Sequence, residues 1–243
     1  MIHGMLLQVC TFSYQGYVHV MKRNYRKAVY RFTGIFTLFV LLIGCNSKPQ
    51  HVVDQEGKSY PVVKIGSMNW MAKNLDVAHY RNGEPIPEVR DSTEWANLTT
   101  GAWCYNDNKV EHGATYGKIY NWYAVNDSRG LAPEGWHVAT DAEWSALATE
   151  LGGEELAGGA MKLVSAWKGA ERAKESGFNA LPGGARRDTD GGYMVPGNYS
   201  RLWTSTELNQ KAAWARSLGY FDTVLRKGKA SKKTGFSVRC VKD

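Results

Sequence analysis

Asp188 and Asp190 lie in the stretch RRDTDGG at positions 186–192, where one residue separates the two carboxylates and a glycine follows. Carboxylate oxygens are hard ligands that calcium accepts, so this D-x-D-G sequence is a candidate for part of a calcium site. It lacks the further spaced ligands and the terminal glutamate of an EF-hand loop. A solvated turn rich in Asp and Gly accounts for the same pattern and is the favoured interpretation. We therefore assign no metal site, and calcium is kept only as a candidate cofactor.

Aromatic residues beside polar ones offer a second kind of chemistry, and three of them stand out: Tyr105, Trp203 and Tyr220. Aromatic rings give a large contact area at a low entropic cost, so they suit a calcium-independent binding face for a glycan or a protein. The alternative is that the rings fill the core, and for any single ring the core is the favoured interpretation.

An ion pair between Glu207 in WTSTE and Arg216 in AWARSLGY is a further candidate feature. The two side chains could face each other inside the domain, where such a pair is as often structural as functional. These two residues complete the predicted ligand-binding set, whose other members are Tyr105, Asp188, Asp190 and Trp203.

Cys45 closes a short apolar segment near the start of the chain. The run FTGIFTLFVLLIG precedes it, which is shorter than the roughly 20 residues of a spanning helix, and five basic residues lie upstream. This order predicts a signal peptide over residues 1–44. The tetrapeptide LIGC looks like a bacterial lipobox, so Cys45 is the predicted lipid-attachment residue. Met21, followed by Lys-Arg, is a better start than Met1, so residues 1–20 are left out of the fold reasoning.

Cleavage before Cys45 changes the charge of the protein. The formal charge of +7 falls to about +2, because the five basic residues of the signal peptide are removed and no acidic residue goes with them. The basic balance therefore gives no reason to expect a nucleic-acid partner. Residues 45–52 form a polar, lipidated tether, and residues 53–243 are long enough for one domain with a substantial core.

Cys104 and Cys240 are the other cysteines of the mature chain. In an oxidising envelope, a disulfide between them would close most of the domain, and we predict this bond; the alternative is two buried free thiols. Catalytic or zinc-binding patterns are missing from the sequence. His137, which follows Trp136, is interpreted as a hydrogen-bonded core histidine.

The elements that must position these residues are predicted from local patterns. Residues 53–65 have a hairpin pattern, and residues 68–71 continue as an extended segment. Aromatic residues of 116–125 recur at helical spacing. Thr140 and Glu143 have the spacing of a capping box at a helix start, and a second, weaker helix covers residues 155–164. After Gly177 short β stretches dominate, so the predicted class is α+β with an antiparallel sheet.

Several linked motifs resemble those of the Fibrobacter succinogenes major paralogous domain: DQEGKSYPVVKIGSMNWMAKNLDV, CYNDN, YGKIYNWYAVND, RGLAPEGWHVATDAEWSAL, SGFNALPGG, WTSTE and GFSVRCVKD. The resemblance spans residues 53–243 and implies a secreted or lipid-anchored protein. GWHVATDAEW and GFSVRC are also distantly similar to formylglycine-generating sulfatase-modifying proteins. That similarity implies a C-type-lectin-like fold, with which a Cys104–Cys240 bond is compatible.

The expected function follows from this fold class. Neither carbohydrate-binding triplet of calcium-dependent lectins is present, and Cys104 and Cys240 lack the neighbouring thiols that oxidase chemistry of the formylglycine type needs. We expect a non-catalytic binding domain for polysaccharide or an envelope protein, anchored by lipid to the bacterial envelope, at the outer membrane on its periplasmic face or the cell surface. One alternative is a structural component of a surface or adhesin assembly, and another is an unrecognised enzyme.

Overall fold

The computed structural model describes residues 50–168 and 175–243. The predicted signal peptide and the lipid-attachment residue Cys45 lie outside the described residues. Within them, no helix is both long and apolar enough to cross a bilayer.

A five-stranded antiparallel sheet contains both the first and the last strand of the described domain. Its order is β1-β2-β3-β12-β6. The strands are β1 His51–Val53, β2 Ser59–Ile65, β3 Met68–Met71, β6 Trp136–Val138 and β12 Cys240–Lys242. The predicted hairpin is confirmed, because β1 pairs with β2 across a turn in which Gly57 adopts a φ of 80°. Strand β12 joins β3 to β6 and so completes the sheet.

A second sheet of three antiparallel strands has the order β11-β10-β9. It consists of β9 Tyr199–Asn209, β10 Ala212–Gly219 and β11 Arg226–Ser231. Two smaller ladders pair β4 Trp103–Cys104 with β5 Ile119–Tyr120, and β7 Ala185–Arg186 with β8 Tyr193–Met194. The predicted β-rich second half is therefore confirmed, and the domain is a mixed α+β structure with antiparallel sheets.

Within the described residues, short helices connect and cover these strands: α1 Ser92–Ala96, α2 Val110–Tyr116, α3 Trp122–Val125, α4 Asp141–Glu150 and α5 Glu154–Met161. The capping box of α4 is confirmed, because the Thr140 hydroxyl accepts from the Glu143 backbone N–H and the Glu143 carboxylate accepts from the Thr140 N–H. The second predicted helix is also present, as α5.

The helix predicted over residues 116–125 is wrong. Gly117 ends α2 with a φ of 72°, a conformation that glycine adopts without strain. Strand β5 follows, and the Asn121 side chain then caps α3 by accepting from the Ala124 N–H. Tyr120 and Trp122 are buried, through a strand and a short helix rather than one long helix, whereas Tyr116 and Tyr123 are only partly buried.

A cluster of large aromatic rings joins the first sheet to α4. Trp70, Trp144 and Phe178 are fully buried, and their ring centroids lie 5.0–5.6 Å apart in tilted or edge-to-face contacts. Such contacts add to the stabilisation that burial of the rings gives. The cluster fixes α4 against β3.

Fully buried arginines hold separate segments of the chain together. Arg186 donates to the backbone carbonyls of Val89, Arg90, Asp91 and Gly191. Buried carbonyl groups need hydrogen-bond donors, and this one side chain supplies them to the loop that precedes α1. Arg216 and Arg239 have similar roles.

His137 links the end of β12 to the start of α4. Its Nδ1 lies 2.6 Å from Asp243 Oδ1 and its Nε2 lies 2.8 Å from Glu143 Oε1. Its side chain is 38% exposed, so the hydrogen bonding is confirmed but the core position is not. Partial burial favours the neutral ring, but the hydrogen bonds to Asp243 and Glu143 outweigh it, so the pKa of His137 lies above its usual value.

This histidine predicts a pH-dependent stability. A raised pKa means that the contribution is fully present below the unfolded-state value of about 6.5 and is lost as the pH rises through the folded-state pKa. We expect the wild-type melting temperature to fall more between pH 6 and pH 8 than that of His137→Gln. The corresponding difference in the free energy of unfolding should be less than about 1 kcal/mol, because the site is exposed. Thermal denaturation of both proteins across this range is the measurement, and parallel curves would contradict the assignment.

Candidate functional site

A cleft of about 420 Å³ opens beside the start of β2. Five segments distant in sequence form its walls: residues 58–61, residues 72–76, the end of α2, Leu163, and residues 179–181. Several of its side chains are polar and reach solvent, including Ser59, Lys73 and Thr115. The site is therefore open, with polar groups set in a lining that is more apolar than polar, and its volume is in the range of small-molecule pockets.

Asp76 is the central charged group of the cleft wall. Its Oδ1 lies 2.8 Å from Lys118 Nζ and its Oδ2 lies 3.0 Å from Lys58 Nζ. Both ammonium groups also donate to the Asp76 backbone carbonyl. Each carboxylate oxygen is thus held by one cation, so the group is fixed in position.

The buried member of this network, Lys118, rests on aromatic rings. Its Nζ lies 4.5 Å from the centre of a Trp103 ring and 4.9 Å from that of Tyr105. Contact with the negative face of these rings helps to compensate for the burial of an ammonium group. The rings and the carboxylate together position Lys118 beneath the cleft.

Tyr60 carries a phenol in the cleft wall. Its hydroxyl donates to Asp54 Oδ2 over 2.7 Å and accepts from the Asp76 N–H. Burial, followed by the hydrogen bond to Asp54 and the negative charge of that residue, raises the pKa of Tyr60 far above its usual value. The hydroxyl therefore stays protonated at neutral pH. The wall presents fixed donors, acceptors and charges, an arrangement suited to holding a polar ligand.

Tyr105 is the predicted binding residue that the structure places next to this cleft. Its ring packs edge-to-face on Trp103 and lies against Gly113, a cleft residue that has no side chain to displace it. Tyr105 thus supports the cleft from behind. Its predicted contact with a ligand remains a prediction.

Trp203 and Arg216 are fully buried, which corrects their predicted role in a binding face. The Trp203 indole packs on Phe236, with ring centroids 4.6 Å apart, and donates to the Tyr120 carbonyl. Neither side chain lines the cleft.

The predicted ion pair between Glu207 and Arg216 is wrong. Glu207 pairs with Lys232 over 2.8 Å. Arg216 pairs instead with Asp141 at 2.7 Å and Glu154 at 2.8 Å, the first residues of α4 and α5. The two side chains do not meet, because Arg216 points to the face that the helices cover.

Asp188 and Asp190 lie in the turn that connects β7 to β8. Both oxygens of Asp190 accept from Arg187, and this hydrogen bonding lowers the pKa of Asp190 to about 2. Among the described residues there is no group of three or more His, Cys, Asp or Glu side chains that could hold a metal ion. The segment therefore has the geometry of an Asp- and Gly-rich turn. It supplies no set of ligands in support of the calcium hypothesis.

The predicted disulfide is absent from the structure, because Cys104 and Cys240 are both free and buried. Cys104 packs among Val89, Trp95 and Ile119, whereas Cys240 belongs to a different hydrophobic cluster. Burial raises the pKa of Cys104 to about 11, so its thiol stays protonated. The alternative of two buried thiols is the one that the structure has.

The sequence analysis missed Lys118, Asp76 and Lys58 as site residues. A signal was available for Lys118, which stands alone between glycine and two apolar residues in YGKIY. A lone lysine in an otherwise buried aromatic segment needs a partner, and Asp76 is that partner.

These features define a mixed α+β domain in which short helices and antiparallel sheets surround an open cleft with charged and polar groups in its wall. The chain belongs to the Fibrobacter succinogenes major domain family, whose model matches residues 63–242. The match begins within β2 and extends into β12, which confirms the resemblance noted in the motifs. No curated protein and no solved structure matches the chain.

Proposed function

We propose that this protein is an envelope lipoprotein whose domain binds a polar, hydroxyl-rich ligand such as a polysaccharide segment without transforming it. The observation that carries the proposal is the cleft of about 420 Å³ with its fixed network of charges. A pre-formed cavity of this size, with a few polar groups held in place, is typical of ligand sites.

The cleft offers hydrogen-bond partners suited to sugar hydroxyls. Ser59 and Thr115 present hydroxyl groups, and Lys73 presents an ammonium group that can donate. Rigid positions reduce the entropy lost on binding, and the two lysines on Asp76 supply that rigidity.

The absence of a reaction is also part of the proposal. Asp76 accepts from a cation at each oxygen, and the Tyr60 hydroxyl is hydrogen-bonded to Asp54. A general base or acid needs a pKa near neutrality and access to its substrate. The raised pKa of Tyr60 places it outside that range.

A C-type-lectin-like arrangement of the domain belongs to the same proposal. It is supported by the position of β12, which brings the end of the chain into one sheet with β1, β2 and β3. The motif resemblance to formylglycine-generating proteins is its other support.

Lipid anchorage at Cys45 and an outer-membrane location are proposed from the basic and apolar segments of residues 1–44 and the LIGC sequence. Two acyl chains would hold the protein stably at a membrane. Mass spectrometry of the protein from membranes should show an acylated N-terminal Cys45, and Cys45→Ser should release it into the soluble fraction. An unacylated precursor in the cell interior would contradict the anchor.

A cleft-filling substitution tests the binding site. We expect the wild-type domain to bind at least one neutral glycan on an array, with or without chelator, and Thr115→Trp to weaken that binding at least tenfold. The indole would occupy the space that the ligand needs. Titration calorimetry with the array's best glycan is the measurement.

Val110→Trp is the matched control, because Val110 is 59% exposed on the same helix and does not line the cleft. It should change the affinity less than twofold. Equal losses in both variants, or no glycan bound by the wild type, would contradict the proposal. A stable complex purified from detergent-solubilised membranes would then favour the assembly alternative.

A further inference from the structure

Two arginines flank a small residue on one face of the three-stranded sheet. Ser217 on β10 is opposite Arg201 on β9 and also opposite Arg226 on β11. Directly opposed residues in antiparallel strands project to the same face, so the two arginine side chains rise on either side of Ser217. Their Cα atoms are separated by two strand spacings, roughly 10 Å.

Aromatic rings lie between and beside these arginines. The Phe221 ring packs on Gly219, where a Cβ would come within 2.8 Å of it, so a glycine is needed here for the ring to lie on the sheet. The Tyr199 and Phe221 rings meet edge-to-face with centroids 6.1 Å apart. Arg201 lies 5.3 Å from the centre of the Tyr199 ring. Phe221 is nevertheless 56% exposed.

The charges of this face are not balanced. Arg226 is neutralised by Asp222, which accepts from both of its terminal nitrogens. Arg201 has no carboxylate partner among the residues that the structure describes, and its buried Nε has no hydrogen-bond acceptor there. Burial without such a partner lowers the pKa of Arg201. One uncompensated guanidinium therefore remains beside two exposed or partly exposed rings.

We propose that this face, which we name the Arg201 face (Tyr199, Arg201, Ser217, Phe221 and Arg226), binds the carboxylate of an acidic saccharide. The planar guanidinium of Arg201 matches a carboxylate in a two-point hydrogen bond. The rings of Tyr199 and Phe221 supply the apolar surface for the face of the sugar ring.

The balance of charge favours a monoanion. Asp222 cancels Arg226, so a ligand on this face meets one net positive charge, which a carboxylate matches and a phosphate dianion exceeds. None of these residues lines the cleft beside β2. The Arg201 face is thus an additional site, and it does not depend on the proposed function of that cleft.

Binding of defined oligosaccharides tests this site. A tetramer of galacturonic acid should bind the wild-type full chain, and a tetramer of galactose should bind at this face at least tenfold more weakly. Arg201→Gln should lower the affinity for the acidic tetramer at least tenfold. Arg201→Lys keeps the charge but not the planar guanidinium, so its affinity for the acidic tetramer should lie between those of the wild type and Arg201→Gln. Titration calorimetry gives the affinities, and higher salt should weaken the acidic ligand alone.

Lys229→Gln is the matched control. Lys229 lies three positions after Arg226 on β11. Side chains alternate between the two faces of a sheet, so Lys229 projects to the face opposite Arg226. The variant therefore removes one positive charge from the other face of the same sheet. It should change the affinity less than twofold. Phe221→Ala, at an exposed position, should weaken binding without lowering the melting temperature appreciably, which keeps the test valid if Arg201→Gln fails to fold.

Three results would overturn the assignment. They are no binding of the acidic tetramer by the wild type, equal losses in Arg201→Gln and Lys229→Gln, and binding of phosphatidylglycerol vesicles but not of the tetramer. Failure here is separable from failure at the cleft, because Thr115→Trp should leave acidic binding unchanged and Arg201→Gln should leave neutral-glycan binding unchanged.

Discussion

Arg239→Leu is expected to lower the free energy of unfolding by about 3–5 kcal/mol. The fully buried guanidinium donates to the carbonyls of Met71, Phe178 and Asn179 and to the side-chain oxygen of Asn74. Leucine cannot donate, so these acceptors would lose their partner inside the protein, at roughly 1–3 kcal/mol for each one left unsatisfied. Removal of a buried charge offsets part of this loss. Urea denaturation followed by tryptophan fluorescence is the measurement.

Arg201→Leu is the control for this prediction. Arg201 is partly buried, and its Nε has no acceptor among the described residues, so the loss of its side chain should cost less than about 1 kcal/mol. Equal losses in the two variants would show that arginine burial, rather than the bonds of Arg239, sets the cost.

Arg216→Met is expected to destabilise the domain by about 3 kcal/mol. Its guanidinium is fully buried and joins β10 to Asp141 at the start of α4 and to Glu154 at the start of α5. Methionine fills a similar volume but leaves Asp141, which is only 14% exposed, with Lys227 as its remaining cation. Chemical denaturation measures the loss.

Double-mutant cycles identify the partner of Arg216. The cycle with Asp141→Asn should give a coupling of about 2 kcal/mol, and the cycle with Glu207→Gln should stay within about 0.5 kcal/mol of zero. A large coupling with Glu207 would restore the pairing expected from the sequence and contradict the observed contacts.

Local sequence patterns predicted the parts of the fold that depend on neighbours in the chain. The Thr140–Glu143 capping box and the turn at Gly57 are each specified within a few residues, and both are present. The spacing of aromatic residues over 116–125 was misleading, because a strand followed by a helical turn buries Tyr120 and Trp122 and leaves Tyr123 partly exposed. Gly117 was the local sign of that break.

The candidate sites could not be predicted in this way. Lys118 meets Asp76 across 42 positions of sequence, and the cleft walls come from five separate segments. Similarly, Arg201 and Arg226 become neighbours only through the register of β9 and β11 with β10. Pairings of this kind depend on the tertiary fold, and one sequence contains no direct record of them.

The central place of β12 has a consequence for biogenesis. Residues 240–242 form the strand between β3 and β6. The five-stranded sheet therefore cannot be completed until residue 242 has been synthesised. A nascent chain can form the hairpin of β1 and β2, but β3 and β6 join one sheet only after β12 has been made.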